Sequence, residues 1–406
     1  MASTRAAFAF VYVTVVLDML ALGVMVPVLP KLIVQLDGGD LAQAAQVTGV
    51  FSLAWAAVQL FAAPVLGSLS DRYGRRPVIL LSNLGLGLDY LLMAVAPSLP
   101  WLFLGRIISG LTAASFPTAG AYVADVTPEG ERAARFGLLG SAFGLGFIIG
   151  PAVGGLLGAV DLRLPFWVAA ALSLANFAYG LFILPESLPA ERRSPFRWQL
   201  ANPLGSIGFL RSHPGLLGFA LASGLGYLAH DALPSVFVLY ADHRYGWDEA
   251  TVGGVLAAVG VCSTIVSAVL VGPAVQRLGE RGALLTGIAC GTLGFAAYGL
   301  APSGAYFLIG VPLTALWGIG GPAMSAIMSR RVGPEGQGKL QGALGSLHGL
   351  TGMAAPILFT QVFAATLGER PVLPFVGTPF LLAAMLLAGS LGLMAWTTGR
   401  RQFGVR

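Results

Sequence analysis

Gly67-Ser68-Leu69-Ser70-Asp71-Arg72-Tyr73-Gly74-Arg75-Arg76 recurs in altered form as Gly272-Pro273-Ala274-Val275-Gln276-Arg277-Leu278-Gly279-Glu280-Arg281. Gly67, Arg72, Gly74 and Arg76 meet Gly272, Arg277, Gly279 and Arg281 at a constant offset of 205 residues. The same offset carries Trp101 to Tyr306, Gly105 to Gly310, Gly140-Ser141 to Gly345-Ser346, Gly144 to Gly349 and Pro151 to Pro356. With one residue of slippage Pro128-Glu129-Gly130 meets Pro334-Glu335-Gly336. A register this long marks a duplicated chain, and each decapeptide lies between two apolar stretches.

Those stretches set the solvent. Of 406 residues 56% are apolar and only 10% charged, against about 25% charged in a soluble domain. Too few charges exist to cover a water-facing surface, so most of the chain faces lipid. A bilayer core about 30 Å thick takes roughly 20 helical residues per crossing. On that length the sequence predicts twelve spans, near residues 8–34, 45–69, 77–96, 100–124, 135–158, 164–185, 214–241, 249–275, 282–301, 304–329, 339–366 and 373–397. The expected fold is therefore all-α, a polytopic membrane protein of two pseudo-symmetric six-helix bundles, 1–185 and 214–406. A polar, Pro- and Arg-rich cytoplasmic linker, 186–213, joins them.

The net charge of +5 reports topology rather than nucleic-acid binding. Of 23 Lys and Arg, only Lys31, Arg163, Arg244 and Arg370 fall in one set of alternate loops and Arg106 falls inside a span. The rest lie in the other set, which the positive-inside rule places in the cytoplasm with both termini. The first span is too long for a signal peptide, and Pro27-Val28-Leu29-Pro30 has no cleavage pattern. Cys262 and Cys290 sit inside apolar runs, which excludes a secreted disulfide framework, and no zinc spacing occurs. No ATP-binding loop or enzyme constellation is present; no cofactor, metal or nucleic acid is expected. Parallel repeats related by an axis along the membrane normal enclose a cavity that can open to either side.

At these loops the chain resembles the major facilitator superfamily. The Gly67–Arg76 stretch is similar to that superfamily's signature between its second and third helices, and Gly144-Leu145-Gly146-Phe147-Ile148-Ile149-Gly150-Pro151-Ala152-Val153-Gly154-Gly155 resembles its fifth-helix antiporter motif. Leu17-Asp18-Met19, Pro27-Val28-Leu29-Pro30, Leu88-Asp89-Tyr90-Leu91-Leu92, Gly105-Arg106 and Gly338-Lys339-Leu340-Gln341-Gly342 narrow the likeness to tetracycline-type drug:proton antiporters. Ser263 and Cys290 depart from that type, where a histidine and an aspartate are common. The resemblance implies export of amphiphilic small molecules against protons by alternating access, from a bacterial inner membrane, by a chain working as a monomer. A metabolite facilitator or proton symporter of the same fold, and a non-transporting membrane sensor, are the competing readings.

Ionisable groups at mid-bilayer cost about 2.5–3.5 kcal/mol each on the insertion scale, so each needs a reason. Asp18, Asp89 and Arg106 are the candidate proton-coupling set. Asp89 and Arg106 flank the short turn at Ser98 by nine and eight residues, which brings them to similar depth on adjacent antiparallel helices. A permanent structural ion pair competes with a coupling role there. Val311 holds the repeat position of Arg106, so the second half lacks that buried cation. Its polar candidates are His230, Asp231 and His348, with Asp231 expected about ten residues from its helix's outer end. Trp55, Gln59, Asn83 and Phe147 complete the candidate substrate cavity.

A gate is expected at Gly67, Asp71, Arg72, Gly74, Arg75 and Arg76, whose arginines can meet Asp125, Glu129 or Glu131 in the next loop on the same side. Gly146 and Gly150 form a smooth helix stripe that permits close packing, and Pro151 can bend that helix; these extend the gate.

Overall fold

The computed structural model describes residues 2–194, 196, 214–332, 337–368 and 371–399. Most of the linker lies outside the described residues, as do Pro334-Glu335-Gly336, Arg370 and the last seven positions. In chain order the helices are α1 (Ala2–Met25), α2 (Leu29–Leu36), α3 (Leu41–Tyr73), α4 (Arg75–Val95), α5 (Leu99–Thr112), α6 (Ser115–Val126), α7 (Glu129–Gly158) and α8 (Leu164–Phe182). The second repeat follows with α9 (Pro214–His230), α10 (Ala232–Tyr245), α11 (Glu249–Ile265), α12 (Val271–Leu300), α13 (Gly304–Leu316), α14 (Gly320–Ser329), α15 (Gln337–Ala364) and α16 (Thr378–Gly399). A π turn, Val266–Leu270, joins α11 to α12, and a 3₁₀ turn, Trp317–Ile319, joins α13 to α14.

Eleven stretches among the described residues are long and apolar enough to cross a membrane. One of them, Glu249–Leu300, has 52 residues, about 78 Å of helix at 1.5 Å per residue and more than twice a bilayer core. Gly279, at φ 67°, divides it, and the count becomes twelve. Apolar side chains cover the outside, with Leu156, Leu293, Leu300 and Met385 all more than 60% exposed, as lipid contact requires. The protein is a multi-pass membrane protein.

Duplication is legible in the backbone. Gly74 and Gly279, 205 residues apart, both adopt positive φ, 108° and 67°, a region that favours glycine. Each lets one helix end and the next begin within a single residue. Ala96-Pro97-Ser98 recurs as Ala301-Pro302-Ser303, where Ala96 and Ala301 share φ −58° with ψ 121° and 119°. Helix breaks recur too. The gap Val26–Val28 between α1 and α2 matches Asp231 between α9 and α10, while the gap at Ala113-Ala114 between α5 and α6 matches the Trp317–Ile319 turn. The first, fourth, seventh and tenth spans are thus each made of two helices, where the sequence predicts single ones.

Two compact units result. One holds residues 1–39, 54–203 and 248–260; the other holds 40–53, 204–247 and 261–406. The first unit packs around Val11, Val15, Met19, Ile79, Tyr122, Val123 and Leu139. The second is built on aromatic rings: Tyr298 stacks on Phe307 with centroids 4.2 Å apart, and Tyr240 meets Phe380 edge-on at 4.9 Å. At the start of α11, hydrogen bonds from Thr251 hold the exposed Asp248 carboxyl below the usual carboxylate range, its amide donating at 2.8 Å. This is an N-cap, and it fixes where the eighth span begins.

Candidate functional site

Within the first unit the buried polar groups converge on the broken fourth span. Asp89, fully buried on α4, accepts a hydrogen bond from Arg106 Nη2 on α5 at 2.7 Å. The pairing follows from the short Ala96-Pro97-Ser98 turn, which sets both residues at similar depth. Gly105 makes room for it, since a Cβ there would lie 2.5 Å from Asp89 Oδ1. Arg106 Nη2 also reaches Met93 Sδ at 3.5 Å. Asp89 Oδ1 and Arg106 Nε have no hydrogen-bond partner, so the pair is held by one strong contact, short of the bidentate arrangement Arg can make.

Asp18 on α1 is 5% exposed and accepts a hydrogen bond from Ser115 Oγ at 2.7 Å. Ser115 opens α6 directly after the Ala113-Ala114 break. On the other side of that break, Trp55 Nε1 on α3 donates to Ser109 Oγ on α5 at 3.2 Å. One carboxylate therefore ties α1 to the later half of the fourth span, and the other ties α4 to its earlier half. Asn83 is fully buried with neither amide atom hydrogen-bonded. Phe147 stacks on Phe143 at 4.6 Å, and Phe143 meets Phe116 edge-on at 6.0 Å; Gln59 is half-buried.

The arginine-rich loop is a second polar centre. Arg75 Nε donates to Asp125 Oδ2 at 2.9 Å, and its Nη1 donates to Asp71 Oδ1 at 2.5 Å and Ser70 Oγ at 3.1 Å. Glu186 accepts the backbone N–H groups of Arg75 and Arg76 at 2.8 and 3.2 Å. Those are free donors at the start of α4, where a negative charge also complements the helix dipole. A Cβ at residue 74 would collide with the Glu186 carboxylate, so Gly74 is required by space as well as by its φ. Arg76 donates to the Leu181 and Gly180 carbonyls at the end of α8, and Arg72 lies over the Tyr73 ring at 5.1 Å. Of the three arginines only Arg75 reaches Asp125. Glu131 pairs with Arg135 at 3.5 Å instead, and the Glu129 side chain lies outside the described residues.

A family model described as Major Facilitator Superfamily matches residues 11–356. The chain belongs to the major facilitator superfamily. It is 38% identical over 353 residues to the class C tetracycline resistance protein of Escherichia coli, covering 87% of this chain and 88% of that one. Identity to the class G tetracycline resistance protein of Vibrio anguillarum is also 38%, over 360 residues and 87% and 89% of the two chains. The class B protein of Escherichia coli is 33% identical over 396 residues, 96% and 97% of the chains. Among solved structures, the human organic anion transporter MFSD10 has a TM-score of 0.71 at 22% identity, covering 96% of this chain and 99% of that one. The nucleoside transporter NupG has 0.77 at 15%, covering 98% and 99%. These two share the fold. The chain is a transporter, and within the superfamily it resembles the tetracycline resistance proteins.

The second unit repeats the scaffold with different side chains. Arg75 and Asp125 become Glu280 and Arg330 at the offset of 205, and Arg330 donates to both Glu280 carboxylate oxygens: the ion pair is kept and its polarity reversed. Asp89 and Arg106 become Gly294 and Val311; there a Cβ on Gly294 would lie 2.6 Å from Thr314 N, and Tyr298 and Thr314 hydroxyls share a 2.8 Å hydrogen bond. Asp231 lies between α9 and α10, away from either end of its span. It stands at the middle of the Leu216–Tyr245 span, which runs past the expected end near residue 241. Its Oδ1 lies 3.3 Å from His230 Nδ1, while His348 packs against Tyr227 with ring centroids 4.7 Å apart.

Gly146 and Gly150 bring α7 onto α1. A Cβ on Gly150 would stand 2.6 Å from Gly23 Cα, and one on Gly23 would stand 2.6 Å from Gly146 O. On another face of α7, Pro151 and Gly155 abut Gly253 of α11. Gly67 has open space around it, so no close approach accounts for that glycine. Glu186, Ser115, Ser109 and Gly23 escape a sequence reading. Glu186 begins what reads as linker. Ser115, Ser109 and Gly23 are ordinary residues of a membrane helix, and only the helix break and the carboxylates beside them give them roles.

Proposed function

We propose that the chain exports amphiphilic small molecules in exchange for protons, with Asp18, Asp89 and Arg106 coupling proton binding to alternating access. The observation that carries this is the attachment of each buried carboxylate to a different half of one broken span. A proton on Asp89 weakens its grip on the Arg106 guanidinium and frees α5 from α4. A proton on Asp18 turns a charge-assisted hydrogen bond from Ser115 into a neutral one, about half as strong, and frees α6 from α1. Proton occupancy thereby sets how firmly the fourth span is held, and the two halves of the sequence, 1–185 and 214–406, rock about the cavity in response. The Asp71–Arg75–Asp125–Glu186 cluster latches one side shut, and the glycine face of α7, with Gly146, Gly150 and Pro151, is the surface over which α1 slides. Trp55, Gln59, Asn83 and Phe147 in the first unit and His230, Asp231 and His348 in the second are the substrate contacts. The membrane is the inner membrane of a bacterium, both termini are cytoplasmic and the working unit is a monomer. The tetracycline resistance proteins that the chain resembles along nearly nine-tenths of its length support the drug-export reading.

Counterflow of a labelled tetracycline and of ethidium in proteoliposomes, with and without an imposed pH gradient, tests it. Gradient-driven accumulation that is lost in Asp18→Asn and Asp89→Asn is the expected result. Movement indifferent to the gradient rejects antiport, and unchanged coupling in both variants removes the site assignment.

A further inference from the structure

Asp231 is an acidic side chain set in the middle of its span. It stands 15 residues from Leu216 and 14 from Tyr245, the ends of its span, about 21–22 Å from each at 1.5 Å per residue. Asp89, on α4 of the other unit, has a guanidinium. Among the described residues Asp231 has no Lys or Arg ion pair, and its one charged-type contact is the imidazole of His230. That imidazole is 65% exposed, and His348 is exposed as well. Two imidazoles and a carboxylate at this depth are costly against hydrocarbon, so the surface that they share faces a water-filled cavity.

The surroundings are aromatic and preset. Trp317 lies in the 3₁₀ turn that breaks the tenth span, with its ring centroid 5.9 Å from that of His230. Gly291 lets the ring in, since a Cβ there would come 2.8 Å from Trp317 Cγ, while a Cβ on Gly226 would meet Cζ2 at 3.5 Å, an ordinary contact. Tyr227 and His348 stand together on the neighbouring helices α9 and α15. Beside Asp231 Oδ2 is Gly352, where an added Cβ would lie 3.8 Å away, and the Asp231 side chain is 18% exposed. The break of the seventh span thus carries a carboxylate in contact with an imidazole, whose ring lies beside the Trp317 indole of the broken tenth span, with Tyr227, one turn earlier on α9, against His348. Aromatic faces beside a negative charge attract organic cations. A bare metal ion is a poor fit, because no group of three His, Cys, Asp or Glu side chains among the described residues could hold one.

We propose that Asp231, with His230 and the Trp317, Tyr227 and His348 rings, is the cation-recognising end of the substrate site, selecting amphiphiles that carry an ammonium or delocalised positive charge. This deepens the export reading and rests on it for the claim that the bound cation is cargo. The carboxylate supplies the counter-charge, the rings supply the apolar and cation–π surface, and His230 orients Oδ1 so that Oδ2 takes the ligand.

Fluorescence anisotropy of ethidium and of uncharged Nile red with purified protein in detergent tests recognition without any gradient. Asp231→Asn is expected to weaken ethidium binding at least tenfold and Nile red less than twofold; Asp231→Glu restores most of the loss, and Trp317→Leu weakens ethidium several-fold. Should Asp231→Asn elute as aggregate, Trp317→Leu and His230→Gln carry the same comparison. Ethidium affinity unchanged in these variants, equal losses for both dyes, or no ethidium binding by wild type overturns the inference. If ethidium binds through Asp231 yet moves in proteoliposomes without regard to the pH gradient, the antiport reading fails while the cation site stands. Gradient-driven ethidium export with binding indifferent to Asp231 removes the cation site and leaves antiport in place.

Discussion

The reversed ion pair of the two units allows one to be rebuilt as the other. In the first unit Arg75 is 12% exposed, Asp125 20% and Asp71 52%. Exposed pairs are worth about 0.2–1 kcal/mol and removal of one partner from a fully buried pair costs about 3–5 kcal/mol. Arg75–Asp125 lies between these, while the half-exposed Asp71 contributes at the surface level. Arg75→Glu therefore costs about 2 kcal/mol for the lost pair and adds repulsion from Asp71, Asp125 and Glu186. The second unit carries Gln276, Glu280 and Arg330 at the positions of Asp71, Arg75 and Asp125. The triple substitution Asp71→Gln, Arg75→Glu, Asp125→Arg copies that set and is expected to recover at least half of the loss. The assay is the unfolding midpoint of each single, double and triple variant in detergent, read as a mutant cycle, beside export rates in proteoliposomes. A triple variant no more stable than Arg75→Glu alone would refute the claim that the loops are interchangeable copies.

Gly105→Ala drives a methyl against Asp89 Oδ1, 2.5 Å from where the Cβ must go; gradient-driven export should fall at least tenfold with little change in expression, and a normal rate would show that the pair tolerates displacement. Gly23→Ala meets backbone, Gly146 O at 2.6 Å and Gly150 Cα at 2.9 Å, and should lower the unfolding midpoint by several degrees, whereas Gly67→Ala, with open space around it, should not. Asn83→Leu removes a buried amide with no hydrogen-bond partner, which should raise stability by about 1–2 kcal/mol while export falls; stabilisation with undiminished export would remove Asn83 from the cavity. Replacing Lys31 by Gln breaks its 3.1 Å ion pair with Glu249 and is expected to make the unfolding midpoint less sensitive to salt than that of wild type.

Twelve crossings, duplication and the Asp89–Arg106 juxtaposition could be read from the sequence because they depend on length, offset and helix rise. The four broken spans could not. Val26-Pro27-Val28 and Ala113-Ala114 are apolar, and Trp317-Gly318-Ile319 is no more polar, so hydropathy runs through them without a mark. Asp231 was legible as a charge in a span, but its depth was not, since the count from the outer end assumed a helix ending near residue 241 where α10 continues to Tyr245. Charge and loop order offered the loop's arginines Asp125, Glu129 or Glu131, and Arg75 takes Asp125. The partner of the Arg75 amide was not legible, because Glu186 lies 111 residues away and only the packing of α8 on α4 carries it back.

What duplication preserves here is backbone, and what it releases is side-chain chemistry. Gly74 and Gly279, the Ala-Pro-Ser turns and the paired breaks are constraints on chain path, which a bundle needs in both copies if each is to fold alike. Buried charge is under no such demand, because one uncompensated ion per unit already strains a fold that must insert into lipid. The first unit places its ions as hydrogen-bonded carboxylates around the fourth span; the second removes the counterpart pair through Gly294 and Val311 and places a carboxylate beside an imidazole where the seventh span breaks. A break frees backbone groups and turns side chains off the helix surface, so it is the natural place for a polar group at mid-membrane. If Asp231 takes the cargo's charge, the asymmetry separates proton handling from cargo recognition. Each can then change by substitution without dismantling the other, and the histidine and aspartate that Ser263 and Cys290 replace are answered by His230 and Asp231 from a different helix of the same unit.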